Sequence, residues 1–244
     1  MKKRIFAILM AICTLLPAMN AQSLWTSAEV SKKITKSFGM FIEGEYRTHN
    51  RLSSTERWSG SLGAEYKFCS NVKATAAYTY IHQHTLTETT RKGNIIPAYW
   101  QPKHRGSFAI TGDYKFGNLS VALRERYQYT YRTEQFVPKF DSDGISPKED
   151  EFIKGKGKHV LRSRLELEYK ISKKCKFTPY ASAEIYNLLN NGCCFKKEKI
   201  RWTIGTGYKI NKKHSLDLYY RYIDASDDDE EGGHIIGIGY KFKL

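Results

Sequence analysis

Residues 119–132 have the sequence LSVALRERYQYTYR, which shows the dominant pattern of the chain. Leu119, Val121, Leu123 and three tyrosines share one face of this stretch, whereas its other face carries Ser120, Arg124, Arg126, Gln128, Thr130 and Arg132. A repeat of two is typical of a β-strand with one apolar face, because successive side chains point to opposite faces. The stretch is far longer than a soluble strand of about five or six residues, and a tilted strand crosses a bilayer with roughly 9 to 11. It therefore predicts a membrane-crossing strand.

The same period recurs in residues 160–171, 200–210 and 236–244. Over the whole chain we count eleven such strands, whereas bacterial single-chain barrels have an even number. We therefore expect ten strands, with residues 25–34 crossing the lumen, or twelve, with one strand not recognised from its pattern.

Connections of two kinds alternate along the chain. Short turns fall at residues 35–37, 69–71, 117–118, 172–174 and 211–213, and longer or more polar loops at residues 50–54, 86–101, 134–158, 190–195 and 225–232. This is the layout of an outer-membrane barrel whose short turns lie in the periplasm. The sequence predicts an all-β fold: a transmembrane, antiparallel, up-and-down β-barrel of about 10–12 strands with short periplasmic turns and longer extracellular loops.

Aromatic residues fall at both ends of these strands, where the girdles of a membrane barrel lie. They include Tyr66, Phe68, Tyr114, Phe116, Tyr169, Tyr208, Tyr240 and Phe242 at the short-turn ends, and Tyr80, Tyr127, Tyr129, Tyr131, Tyr220 and Tyr222 towards the loops. Glu125 does not fit, because its position places an ionisable carboxyl group on the lipid face. We expect a bulge or a partner on a neighbouring strand to accommodate it.

The first 21 residues have the pattern of a secretory signal peptide. Lys2, Lys3 and Arg4 precede an apolar stretch at residues 5–16, and residues 17–21 end in Ala21 before the expected cleavage site. We therefore divide the chain into a signal peptide, residues 1–21, and one barrel domain, residues 22–244, located in the cell outer membrane of a Gram-negative bacterium.

The net charge is +15, and about +12 without the three basic residues of the signal peptide. Such a charge favours anionic partners. Because an exported protein rarely meets nucleic acid, the expected partners are outer-membrane lipid with lipopolysaccharide, small anionic solutes and the barrel-assembly machinery. The alternative is a set of solvated, self-paired charges.

Four cysteines remain after the signal peptide, Cys69, Cys175, Cys193 and Cys194, and they lack a metal-binding spacing. The adjacent Cys193 and Cys194 leave three states open: a vicinal disulfide, a pairing with another chain, or free thiols. No metal site and no cofactor is predicted.

Several short patterns occur together in the order of a known family. Residues 25–47, Arg162-x-Arg164-x-Glu166, Pro179-x4-Glu184 and Arg201-x3-Gly205-x2-Tyr208 resemble a family of uncharacterised bacterial outer-membrane β-barrels, a domain of unknown function that covers the mature chain. The resemblance implies the fold and the location, and it carries no activity to this chain.

The polar faces of the strands predict an arginine-rich lumen. Alternation places the following residues inside: Glu43, Glu45, Arg47, Arg57, Glu65, Arg105, Arg124, Arg126, Arg132, Arg162, Arg164, Glu166, Glu168, Glu184, Arg201, Asp217 and Arg221. If the lumen is open, the basic excess favours anions. The alternative is an interior filled by Arg–Glu pairs, since ten to twelve strands lie between filled eight-stranded barrels and wide porins. A narrow pore and a structural membrane component are thus both open.

Two other functions remain as alternatives, and no catalytic residue is assigned. A lipid-modifying hydrolase or acyltransferase would use the rim residues His82 and His84, with the nearby His49, Ser53, Ser54, His104 and His159. A surface-binding module would act through the loop 134–158, whose basic run at residues 154–158 we expect to be flexible and available to lipid phosphates. Surface cations could contact the acidic residues Asp227, Asp228, Asp229, Glu230 and Glu231.

Overall fold

The computed structural model describes residues 23–49, 54–172, 174–189, 195–225 and 232–244. The signal peptide, Ser53, Cys193, Cys194 and the five acidic residues at 227–231 lie outside the described residues, so those expectations stay predictions. Within the described ranges, no helix is long and apolar enough to cross a membrane.

The described chain is folded into strands joined by turns and loops. The fifteen described strands are β1 (Ser23–Lys33), β2 (Phe38–His49), β3 (Ser54–Lys67), β4 (Val72–Thr85), β5 (Glu88–Thr89), β6 (Ile95–Ile96), β7 (Tyr99–Phe116), β8 (Leu119–Arg132), β9 (Gln135–Phe140), β10 (Pro147–Ile153), β11 (Lys156–Tyr169), β12 (Phe177–Leu189), β13 (Phe195–Lys209), β14 (His214–Ile223) and β15 (Gly233–Lys243).

Eleven of these described strands close into a barrel in the order β1-β15-β14-β13-β12-β11-β8-β7-β4-β3-β2. The prediction of an all-β barrel of about 10–12 strands is confirmed, and the described wall has the eleven strands counted in the sequence, so the adjustment to an even number, ten or twelve, does not apply. Residues 25–34 do not cross the lumen, because β1 is a wall strand. It pairs antiparallel with β2 and parallel with β15, from Ser23 opposite Ile235 to Ser31 opposite Lys243. An odd number of alternating strands brings the first and last strands together in the same direction, so the closing pair must be parallel.

Two of the predicted loops contain strands of their own. β5 and β6 lie in one loop and β9 and β10 in another, and they pair into a four-stranded sheet in the order β10-β9-β6-β5. The wall strands also extend further than predicted. β7 already begins at Tyr99 and β11 at Lys156, so the ends of the loops assigned to residues 86–101 and 134–158 belong to the barrel wall.

The turn between β9 and β10 is held by an aspartate. The carboxylate of Asp143 accepts hydrogen bonds from the hydroxyl of Ser146 and from the backbone N–H groups of Ile145 and Ser146. These bonds lower the pKa of Asp143 to about 2, the Ser146 hydroxyl contributing most. A depressed carboxyl pKa stabilises the folded turn above the ordinary pKa and loses this effect only as the pH falls towards 2. The turn is therefore insensitive to neutral and mildly acidic conditions.

The distribution of apolar residues is the inverse of that in a soluble protein. Ile42 is 62% exposed, Leu123 54% and Ile204 53%, while Arg162 and Glu184 are buried. A soluble monomer rarely exposes apolar patches beyond a few hundred Å². This outer face, with aromatic rings at both strand ends, suits the hydrocarbon region of a bilayer.

Glu125 occupies the exposed outer face of β8, as the alternation predicts. Its carboxylate accepts a hydrogen bond of 2.7 Å from the hydroxyl of Ser163, which lies directly opposite on β11. The expected partner on a neighbouring strand is therefore present, and the ladder at this position has no bulge.

Candidate functional site: the arginine-rich lumen

The described residues enclose two adjoining cavities inside the barrel, a central one and one nearer the short turns. The central cavity, about 270 Å³, is lined by side chains from all eleven wall strands described above. The turn-side cavity, about 520 Å³, reaches Lys73, Lys209 and Ser215, which stand close to the short turns. Arg124, Arg164, Asp217, Arg221 and Lys241 line both cavities and so mark where the two meet.

The central cavity has a strong basic excess. Among the described residues that line it, eleven are Arg or Lys and four are Asp or Glu. The sequence-predicted residues around it are Glu43, Glu45, Arg47, Arg57, Arg105, Arg124, Arg126, Arg162, Arg164, Arg201, Asp217 and Arg221. Glu166 and Glu168 line the turn-side cavity instead, and Glu184 lies buried among the arginines.

One carboxylate organises one wall of the lumen. Glu184, 1% exposed, accepts bonds from four guanidinium groups and one hydroxyl. The five contacts are Arg124 at 2.7 Å, Arg162 at 2.9 Å, Arg164 and Arg201 at 3.3 Å each, and the Tyr186 hydroxyl at 3.2 Å. We call these six residues the Glu184 cluster. Charge-assisted bonds of this kind are about twice as strong as neutral ones, so the single carboxylate holds four strands together.

The register of β8, β11, β12 and β13 places the cluster, together with Arg126 and Lys199, in two rows that run across these strands. The first row reads Arg124, Arg164, Glu184 and Arg201. The second, two residues closer to the loops, reads Arg126, Arg162, Tyr186 and Lys199. Because directly opposed side chains lie about 5 Å apart, both rows place two arginines side by side on β8 and β11.

A second carboxylate lies on the opposite wall, formed by β1, β2 and β3. Glu45 accepts bonds from Arg47 at 2.8 and 3.1 Å and from Arg57 at 3.0 Å. We call these three residues the Glu45 cluster. Further towards the turns, Glu43 stands opposite Glu29, and Lys241 of β15 lies 3.6 Å from the Glu29 carboxylate.

Aromatic rings inside the lumen contact several of the cationic groups. Trp25 of β1, 2% exposed, points inward, and the Arg47 guanidinium lies 3.3 Å from the centre of its ring. Arg221 lies over the same ring at 4.9 Å. Tyr186 receives Arg162 at 4.5 Å and Lys199 at 4.9 Å. The negative face of a ring attracts such cations.

The sequence did not identify these interior rings, because an aromatic residue on a barrel strand is ordinarily assigned to lipid. Strict alternation contained the signal, because residues two positions apart in a strand share a face. Tyr186 lies two residues from Glu184, and Lys199 lies two residues from Arg201, so both belong to the lumen face. Two glycines make room for further interior rings. A Cβ on Gly205 would come within 2.7 Å of the Tyr180 ring, and one on Gly237 would overlap the ring of Tyr219.

The loop-side half of the lumen is filled by side chains. Ile81, Gln101 and Lys103 are each 5% exposed or less at this level. Lys158 forms a 2.7 Å ion pair with Glu198, and both side chains are under 20% exposed. Of the basic run at residues 154–158, residues 156–158 belong to β11, and the Lys158 ammonium group is directed to a partner carboxylate, while residues 154 and 155 connect β10 to β11.

Residues 22–231 match the model of a protein family described as a protein of unknown function, DUF2490. The chain belongs to the DUF2490 family. Among solved structures, the chain resembles the β-domain of the Bordetella autotransporter Brka, with a TM-score of 0.51 and 12% identity over 86% of this chain and 83% of that one. A porin is also similar, with a TM-score of 0.36 and 12% identity over 87% of this chain and 59% of the porin. A search of curated proteins found no match.

The rim histidines of this DUF2490 barrel form a repeated arrangement with tyrosines on the outer face. The rings of His104, His159 and His234 each contact the aromatic residue directly opposite, which is Tyr80, Tyr129 or Tyr222, in tilted or edge-on geometry. The Nδ1 atom of each histidine also shares a hydrogen bond with the hydroxyl of the tyrosine that lies two positions before that aromatic residue, namely Tyr78, Tyr127 or Tyr220. His214 repeats the pattern at the turn end with Tyr240 and Phe242.

The residues named for a lipid-modifying enzyme are only partly brought together. His82 and His84 pack against the Trp100 ring, at centroid distances of 4.9 and 5.0 Å. His49, 2% exposed, stands opposite Ser54 in the register of β2 and β3. Within the described ranges, no group of three or more His, Cys, Asp or Glu side chains has the arrangement of a metal site.

Proposed function

We propose that this DUF2490 chain is an integral protein of the outer membrane whose narrow, arginine-rich lumen admits small anions from the short-turn, periplasmic side. The basic excess around the central cavity is the observation that carries this proposal. Rings of Arg and Lys bias a pore towards anions, because they lower the energy of a negative charge in a confined space.

The outer face supports the membrane location. A barrel places an apolar band against lipid and polar side chains inside, and the exposed Ile42, Leu123 and Ile204 follow that pattern. The chain would be inserted by the barrel-assembly machinery and would contact outer-membrane lipid and lipopolysaccharide. The turn-side cavity would face the periplasm, because the short turns of such barrels lie there.

The packing of the lumen supports a narrow conduit. The turn-side cavity is open enough to take a small solute, while the level of Ile81, Gln101 and Lys103 is filled. Passage beyond that level requires these side chains to move. We therefore expect a conductance well below that of 16- to 18-stranded porins, which leave an aqueous channel.

Recordings from the refolded mature protein in planar bilayers under a KCl gradient test the proposal. We expect small steps with a reversal potential that favours chloride. Arg221→Glu should move the reversal potential towards cations, because Arg221 lines both cavities. The matched control is Lys92→Glu, the same charge change on an exposed loop residue, which should leave selectivity unchanged. A folded wild-type barrel without conductance would contradict the pore and favour a structural role.

A surface-binding role is the second candidate, supported by the sheet of β5, β6, β9 and β10. Phe136 and Phe152 form an exposed ring pair on this sheet, with centroids 5.0 Å apart and exposures of 70% and 45%. Exposed aromatic residues are typical of binding surfaces. If this sheet binds cells or matrix, Phe136→Ser should abolish binding without altering the folded barrel, while Ile145→Ser, another exposed loop residue, should not.

A further inference from the structure

The wall formed by β8 and β11 carries two like-charge pairs. Arg124 stands opposite Arg164, and Arg126 stands opposite Arg162, all on the lumen face. Like charges directly opposite each other on neighbouring strands are destabilising unless something neutralises them. The carboxylates within reach therefore decide whether this wall carries uncompensated charge.

Glu184 neutralises only part of this wall. Its two carboxylate oxygens are already taken by Arg124, Arg162, Arg164 and Arg201, together with the Tyr186 hydroxyl. One negative charge thus serves four positive ones. A carboxylate offers about four lone-pair sites, so no capacity remains for a fifth guanidinium group.

Arg126 is the arginine left over. It lines the central cavity, where it lies close enough to Arg124, Arg162 and Arg164 to feel their charge. The carboxylates of Glu184 and Glu43 also act on it electrostatically. Among the residues that the structure describes, no carboxylate is hydrogen-bonded to its guanidinium group, and its buried Nε has no hydrogen-bond acceptor. A half-buried cation without a hydrogen-bonded counter-ion is costly, because the low local dielectric strengthens repulsion from its neighbours.

We propose that the central cavity binds a small multivalent oxyanion of the phosphate type, held by Arg126 together with Arg124 and Arg164. The guanidinium fork matches two oxygens of such an anion, and chloride offers no such pair of oxygens. A second negative charge on the anion offsets the repulsion between the paired arginines. This site depends on the proposed function, a lumen that admits anions, and it specifies the class of anion that the lumen binds.

The route to this site leads through the turn-side cavity. Arg124 and Arg164 line both cavities, whereas Arg126 lines only the central one. An anion entering from the turns would meet Arg124 and Arg164 first and Arg126 last. The central cavity, about 270 Å³, is far larger than one water molecule and accommodates an oxyanion with part of its hydration shell.

Calorimetric titration of the refolded barrel in detergent with inorganic phosphate, at constant ionic strength in KCl, tests the site. Arg126→Gln should weaken phosphate binding about tenfold or more, since a hydrogen bond to a charged group is lost. Arg126→Lys keeps the positive charge but lacks the forked guanidinium group, so its phosphate affinity should lie between those of the wild type and Arg126→Gln. Arg132→Gln is the matched control on the same face of β8, because Arg132 donates to the Lys154 carbonyl oxygen near the loops.

Three results would overturn the site: the wild type binds neither phosphate nor a phosphate headgroup, Arg126→Gln has wild-type affinity for both, or Arg132→Gln loses as much affinity as Arg126→Gln. A parallel titration with short-chain phosphatidic acid identifies the source of the phosphate group. An effect of Arg126 on this lipid alone would support the site with a headgroup as its ligand. The binding site and the pore can fail separately. Anion-selective current with no binding of phosphate or of the lipid headgroup would retain the pore and refute the site. Binding without current would refute only the pore.

Discussion

The Glu184 cluster and the Glu45 cluster lie on opposite walls of the same lumen and balance their charges differently. Glu184 is 1% exposed and meets four arginines, whereas the Glu45 side chain is 23% exposed and meets two. The first cluster holds β8, β11, β12 and β13 together. The second joins only β2 and β3, the strands that carry its three members.

This difference shows where the selectivity of the lumen would originate. Near Glu45, the neighbouring Glu43 and Glu29 supply further negative charge. Near Glu184, the second row of side chains contains Arg126 and Lys199, which add positive charge. The excess of basic residues is therefore concentrated on the wall from β8 to β13, and a single carboxylate controls its stability.

Glu184→Gln should have the largest effect on stability. Removing the charge leaves four arginines facing one another at low exposure, and breaking a buried ion pair costs about 3–5 kcal/mol. We expect that loss in the free energy of unfolding, measured by denaturant titration of tryptophan fluorescence in lipid vesicles. The double variant Glu184→Gln/Arg164→Gln should recover part of the loss, because it also removes one repelling charge. Wild-type stability in the single variant would contradict this picture of the wall.

Glu45→Gln should cost less, about 1–3 kcal/mol, because only two arginines lose their acceptor and the group is partly hydrated. The same denaturant titration measures it beside Glu184→Gln. Glu168→Gln, which changes a carboxylate lining the turn-side cavity, is the control and should be close to neutral. A loss at Glu45 as large as that at Glu184 would abolish the distinction between the two walls.

How much of this arrangement the sequence contains depends on the kind of interaction. Alternation alone predicted that Arg124, Arg126, Arg162, Arg164 and Glu184 belong to polar strand faces, because the side-chain period of a strand is two. It could not predict that Arg124 stands opposite Arg164. That pairing depends on strand register, which is set by the geometry of the turns and by the closure of the whole barrel.

Closure and loop structure were the features that the sequence did not predict. The parallel contact of β1 with β15 joins the two ends of the chain, and no local pattern records such a long-range pair. β5 and β6 contain two residues each, too few to show a period. Their pairing into one sheet with β9 and β10 comes from contacts between two separate loops.

The smallest effect is expected on the outer face, at the Glu125–Ser163 pair. Glu125→Gln should change the free energy of unfolding in vesicles by less than about 1 kcal/mol, because the amide keeps a hydrogen-bonding group and removes a charge that lipid disfavours. Ser163→Ala should destabilise by about 1 kcal/mol, since Glu125 loses its donor. A double-mutant cycle in vesicles measures the coupling free energy between Glu125 and Ser163. A large loss of unfolding free energy in Glu125→Gln would contradict a lipid-facing position and indicate that this carboxylate lies in water.

The most direct measurement of the two-faced wall is nitroxide scanning along β8 in lipid vesicles, one cysteine at a time from position 121 to 126 in a background without native cysteines. We predict that labels at Val121, Leu123 and Glu125 collide mainly with oxygen dissolved in lipid. Labels at Ala122, Arg124 and Arg126 should collide mainly with a water-soluble nickel chelate. Equal exposure at all six positions, or nickel contact at Leu123, would contradict a membrane barrel with an arginine-rich lumen.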